Sequence, residues 1–156
     1  MVRNMSLDKI YHYERVTDLI GSSGQPTADQ FDDIAAAGFN AVINLAMADS
    51  DNAIPNEGSL VTGLGMTYVQ IPVDFNNPTQ RDLEKFCGVM QSMEADQVWV
   101  HCVVNARVSA FLYLYLRYIK NLDEADCRTN LLDRWEPQMD DVWKNFLNEG
   151  QSWLQT

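Results

Sequence analysis

The run Val98-Trp99-Val100-His101 leads through Cys102-Val103-Val104-Asn105-Ala106 straight into Arg107–Lys120, a stretch that is apolar almost throughout. The first part reads as a buried strand, and a helix without a clear polar face has to be covered on all sides. A buried strand and a buried helix joined by a tight turn belong in a layered α/β domain with parallel strands.

The rest of the chain repeats this alternation. Asp18 to Ser22 reads as a short strand, and Gly24-Gln25-Pro26 leads into a helix opened by Thr27 with Gln30 three positions on, a capping-box pairing, and closed at Gly38. Ala41-Val42-Ile43-Asn44-Leu45 is a β-branched strand. Ala46–Gly65, rich in Asp, Asn, Ser and Gly, reads as a long connection with one helical turn near Glu57, and Thr67 to Val73 as the third strand. Beyond the loop Asp74–Pro78, Thr79 caps a helix with Leu83, Phe86, Cys87, Met90 and Met93 on one stripe, and Gln97 to His101 is the fourth strand. Asp123 caps a further helix, and Pro137 separates it from a last amphipathic helix carrying Val142, Trp143, Phe146, Leu147 and Trp153. The expected architecture is α/β, a mainly parallel central sheet of about four or five strands flanked by helices. With 156 residues and 46% hydrophobic content, the chain suits a single domain over 1–156, with 121–156 as a C-terminal helical extension.

A net charge of −11 argues against nucleic-acid or anionic-membrane partners, so any oxyanion has to be held by a small local positive site, with Arg107 as the candidate. Three cysteines (Cys87, Cys102, Cys127) and two histidines (His12, His101) lack metal-ligand spacing, and the odd cysteine count speaks against a disulfide framework. Neither a metal nor a cofactor is expected. Met1–Asp8 has no apolar leader core and no stretch has the length of a membrane span, which makes a reducing cytoplasm the expected compartment. Monomer and homodimer both stay open.

The strand-to-helix turn is where chemistry gathers. Backbone N–H groups at a helix start point toward an anion, Arg107 supplies a planar cation, and Cys102 sits where both favour a thiolate. Asn105 suits a tight loop because Asn tolerates positive φ better than most residues, and Ser109 is placed to donate to the thiolate. The competing reading makes Cys102 a small core hydrophobe at a strand end, with Arg107 on a solvated helix face.

Gly24-Gln25-Pro26, Gly38 to Leu45, Tyr68 to Asp74 and His101-Cys102 with Arg107 together resemble the bacterial DUF442 family of dual-specificity-phosphatase-like proteins, over roughly residues 10–120. The resemblance implies a cysteine-phosphatase fold, a metal-free reaction on a phosphomonoester and a phosphocysteine intermediate. It implies Cys102 as nucleophile, Arg107 as phosphate clamp, Val103, Val104, Asn105, Ala106 and Arg107 as phosphate-binding loop, and Asp74 as general acid. His101 and Ser109 would be supports beneath the loop, and Gln25 and Asn44 structural braces. A turn-forming role for Asp74 carries equal weight.

The loop departs from the common pattern in length. Four residues separate Cys102 from Arg107 where five are usual, while Ser109 keeps its place. An unchanged helix start would rotate the arginine by about 100° away from the anion, whereas a loop one residue tighter would keep it inward. Four-residue spacing also suits a rhodanese-like sulfurtransferase carrying a Cys102 persulfide, although the upstream motifs favour the phosphatase group. A third reading is a phosphate-binding pseudophosphatase without turnover.

Overall fold

The computed structural model describes residues 6–155. The expectation about a leader bears largely on residues 1–5, which lie outside that range. Five strands form one sheet in the order β1-β2-β5-β3-β4: β1 (Glu14–Arg15), β2 (Ile20–Ser23), β3 (Ala41–Asn44), β4 (Thr67–Gln70) and β5 (Val98–His101). Among the described residues, only the β1–β2 pair is antiparallel. The α/β architecture with a mainly parallel sheet is as the sequence implies.

Alternation along the strands divides the core into two layers. Ile20, Ala41, Ile43, Val98 and Val100 face one layer with Phe86, Phe111, Leu114, Trp143 and Phe146. These aromatics and Leu114 come from α3 (Gln80–Ser92), α4 (Ala106–Tyr118) and α7 (Asp141–Leu154). Val42 and Trp99 face the other layer, with Phe31 and Ile34 of α1 (Ala28–Ala36) and Val61 of α2 (Glu57–Gly63). Helix α4 lies between the sheet and α7, which accounts for its apolar surface all round. Two shorter helices, α5 (Glu124–Cys127) and α6 (Asn130–Trp135), complete that side.

Several boundaries differ from the sequence reading, each for a local reason. Strand β2 starts at Ile20 because the Thr17 hydroxyl accepts hydrogen bonds from the Leu19 and Ile20 amides, curling Asp18 and Leu19 into a turn. Strand β1 is only two residues long, too short to leave a periodic signal. Strand β4 stops at Gln70, just before a segment in which Pro72 has no N–H to give; Ile71 and Val73 still donate to Asn44 and Leu45. The turn near Glu57 extends to seven residues as α2. The Asp123 helix ends at Cys127, and α6 restarts after Thr129, whose hydroxyl accepts from the Leu132 amide. Val142 lies outside the apolar stripe of α7, 41% exposed.

The parallel strands end in a row of polar residues. Ser23 of β2 is in register with His101 of β5, His101 with Asn44 of β3, and Asn44 with Gln70 of β4. Each is the last residue of its strand. The carboxyl ends of parallel strands are where open α/β sheets bind ligands, and here every parallel strand ends on a polar side chain at that edge.

Candidate active site

The turn from β5 into α4 is built so that its carbonyls face the scaffold. The Cys102 carbonyl accepts from His101 Nδ1 at 3.1 Å, the Val103 carbonyl from the Gln25 amide at 3.0 Å, and the Val104 carbonyl from His12 Nδ1 at 2.8 Å. In a trans peptide the following N–H points the opposite way, so the amides of Val103, Val104 and Asn105 are turned away from these anchors. Asn105 adopts φ 73°, and the helix begins at Ala106. The amides of Ala106, Arg107 and Val108 precede the first intrahelical acceptor. Left-handed backbone followed by a helix start forms a concave nest of N–H groups suited to an oxyanion.

Asn105 is held from below. Its Nδ2 donates to the His12 carbonyl at 2.9 Å and to Ser22 Oγ at 3.1 Å, so its side chain fixes the loop as well as tolerating the positive φ. Ser109 Oγ donates to Asn105 Oδ1 at 3.5 Å and accepts from Thr129 Oγ1 at 2.7 Å. The hydroxyl proposed from sequence for the thiolate is thus engaged with the loop support.

Gly24 explains part of the Gly-Gln-Pro signal. A Cβ there would lie 2.5 Å from the Val103 carbonyl oxygen and 2.7 Å from the Tyr11 ring, so only glycine allows this backbone to approach the loop. Gln25 then donates from its amide to the loop and from Nε2 to Glu57 Oε1 at 2.8 Å.

Glu57 is the main site residue that the sequence reading passed over. It is buried, and its Oε2 accepts from His101 Nε2 at 2.6 Å. Both nitrogens of His101 therefore face oxygen atoms, the Cys102 carbonyl and the Glu57 carboxylate. Burial pushes the Glu57 carboxyl upward, but hydrogen bonding and charge from His101, with hydrogen bonds from Gln25 and Tyr68, more than offset this and hold it below its ordinary value. A signal was available: a histidine ending a buried strand needs a polar partner, although the sequence does not say which.

Cys102 is fully buried, as a small core hydrophobe would be. Arg107 does not fit that simpler account. It is only 6% exposed rather than on a solvated face, its Nη1 donates to the Val73 carbonyl at 2.8 Å, and its guanidinium lies 5.8 Å from the Phe75 ring centre. Burial of a cation needs such compensation. The short loop therefore directs the arginine inward, along the strand ends toward the Asp74 segment.

Asp74 is exposed on the loop after β4. Its Oδ1 accepts from the Asn76 amide at 2.9 Å and its carbonyl from the Asn77 amide at 3.0 Å, so the turn-forming role is real. Cys87 and Cys127 are core residues, their thiols pushed up by burial to about 12 and about 11. Among the described residues, no group of three or more His, Cys, Asp or Glu side chains is arranged to hold a metal ion, and no helix is long and apolar enough to cross a membrane.

The five-stranded sheet and its flanking helices define the fold of dual-specificity-type phosphatases. A Tk-PTP structure in the active form superposes with a TM-score of 0.72 at 18% identity, covering 90% of this chain and 96% of that one. A kinase-associated phosphatase, with its catalytic-site cysteine changed to serine, gives 0.74 at 13% identity, covering 94% and 97%. At such identities the likeness speaks to fold alone. The chain belongs to the family described as DSP-PTPase phosphatase fused to NAD+ kinase, whose profile matches residues 7–144. It is similar over nearly its whole length to the DUF442 protein of Shewanella putrefaciens CN-32, with 36% identity, a TM-score of 0.87, and coverage of 96% of this chain and 97% of that one. Among curated proteins none matches the chain. The DUF442 resemblance drawn from the motifs therefore holds.

Proposed function

We propose that the protein is a cysteine-dependent phosphatase acting on a phosphomonoester. The observation that carries this reading is the loop itself: three consecutive carbonyls are tied to the scaffold while Arg107 is buried and turned along the same edge. A core cysteine beside a structural arginine requires neither feature.

In this reading the amides of the loop and the free edge of Arg107 bind the three non-bridging phosphoryl oxygens. One of the five guanidinium N–H donors is committed to Val73, which leaves a fork for bidentate contact. The Cys102 thiolate attacks phosphorus, an S–P bond forms and the P–O bond to the leaving group breaks, while Asp74 gives its proton to the departing oxygen. Water then attacks phosphorus, the S–P bond breaks, and Asp74 takes the proton. The doubly hydrogen-bonded His101 stands behind Cys102, and Glu57 fixes its orientation. No metal enters these steps.

The purified protein should release phosphate from 4-nitrophenyl phosphate, and Cys102→Ser should abolish release while phosphate still binds. Turnover undiminished in that variant would refute covalent catalysis. Binding of phosphate without turnover in the unaltered protein would establish the pseudophosphatase, and sulfur transfer from thiosulfate with a persulfide mass on Cys102 would establish the sulfurtransferase favoured by loop length.

A further inference from the structure

The segment that carries Asp74 is fastened at both flanks by residues from elsewhere in the chain. On one side Arg107 donates to the Val73 carbonyl at 2.8 Å. On the other, the indole Nε1 of Trp143 donates to the Phe75 carbonyl, also at 2.8 Å. Trp143 is fully buried on α7, and its own amide donates to Asp140 Oδ1 at the helix cap. The Phe75 ring packs 5.5 Å from the Trp143 ring and 6.0 Å from that of Trp135, centre to centre. Asp74 therefore lies between two anchored carbonyls, that of Val73 held by Arg107 at the start of α4 and that of Phe75 held by the C-terminal helix.

We infer that Trp143 is a positioning residue for Asp74: its indole hydrogen bond fixes the acid-bearing loop at the strand-end edge it shares with the Cys102 loop, so that the C-terminal helix sets the alignment of the proton donor. The inference rests on the proposed role of Asp74. A general acid has to lie within hydrogen-bond reach of the leaving oxygen, and Asp74 is an exposed residue on an exposed loop with no partner of its own from the sheet. What fixes it is the backbone on either side. Arg107 cannot serve as the sole anchor, since it also has to meet the anion. The Trp143 bond has no such second duty.

Proton donation matters most for poor leaving groups, which gives a readout that general destabilisation would not imitate. Phenyl phosphate needs the acid, and 4-nitrophenyl phosphate needs it much less. Trp143→Phe keeps an aromatic ring and removes the donor together with part of the indole ring system. It should lower kcat on phenyl phosphate by roughly fivefold to tenfold, the size of one lost hydrogen bond. On 4-nitrophenyl phosphate kcat should change less than twofold. In an Asp74→Asn background, Trp143→Phe should have no further effect on phenyl phosphate, because the two residues would act as one unit.

Equal slowing of both substrates, or an undiminished effect in the Asp74→Asn background, would overturn the inference. If Asp74→Asn alone leaves phenyl phosphate turnover unchanged, the reading of Asp74 as acid fails. If Asp74→Asn slows it and Trp143→Phe does not, only the positioning role falls. Should Trp143→Phe not fold, Asp140→Ala takes its place. That variant removes the exposed cap of the turn carrying Trp143. A loss confined to phenyl phosphate supports the inference, and a loss shared by both substrates overturns it.

Discussion

The loop carrying Cys102 and the loop carrying Asp74 lie at the same edge of the sheet but are held in opposite ways. In the Cys102 loop Cys102 and Asn105 are buried, and the loop is fastened through its own carbonyls and the Asn105 side chain by His101 and by groups from the N-terminal segments. The Asp74 loop is exposed, and it is located through the Val73 and Phe75 carbonyls by two distant side chains. In the proposed reaction, anion binding would rest on a contiguous, preformed cup and proton delivery on alignment imposed from afar. A change near the cup should affect every substrate, whereas a change at the far anchors should affect only those that need the proton.

Arg107 touches both loops and is the place to break the distinction. Arg107→Lys keeps the charge but loses the planar fork and its reach to Val73. It should cost about 10²–10³ in kcat/KM on 4-nitrophenyl phosphate, by analogy with losing an oxyanion donor, and at least as much on phenyl phosphate, which also loses the Val73 anchor of the acid loop. Loss on phenyl phosphate alone would place Arg107 with the acid loop only.

Glu57 tests the cup. Glu57→Ala leaves His101 buried without its partner and should cost about 3 kcal/mol of unfolding free energy at pH 7, read from urea denaturation. The pH dependence has a definite sign. Glu57 is held below its ordinary carboxyl value of 4.5, so its stabilisation is complete above that value and is lost as pH falls through the lower folded-state value. The stability gap between wild type and Glu57→Gln should therefore narrow on acidification below about pH 4.5, and a gap that stays constant would show that the carboxylate charge contributes nothing.

Gly24→Ala should have the smallest effect. The new methyl group meets a backbone oxygen and the Tyr11 ring, and displacing them should cost about 1–3 kcal/mol. Because Gly24 approaches the cup and not the acid loop, turnover of both substrates should fall in parallel. A selective loss on phenyl phosphate would break the comparison.

The sequence was most informative where structure and chemistry are continuous in the chain. The β5 turn α4 segment, the αL position of Asn105, the Thr27 and Thr79 caps and the core placement of Cys87 could all be read from neighbouring residues. The inward course of Arg107 depended on where the helix starts, and spacing alone allowed both outcomes. Glu57, His12, Thr129 and Trp143 were out of reach for a different reason. Each meets the site only through one or two hydrogen bonds spanning a long stretch of chain, and such contacts leave no periodicity or motif. Gln25 lies between these cases: its tripeptide carried the family likeness, but its link to Glu57 came only with the fold.

The row Ser23, His101, Asn44 and Gln70 has a consequence for how the chain reaches its native state. The central strands are apolar toward both layers, so alternation alone discriminates weakly between correct pairing and a neighbour shifted along its axis. A shift would leave a polar end facing hydrocarbon without its partner, at a cost of about 1–3 kcal/mol for each orphaned group. The side chains that border the cup thereby proof-read strand alignment during folding, and a substitution that makes this edge greasier would loosen the pairing rule before it altered any chemistry.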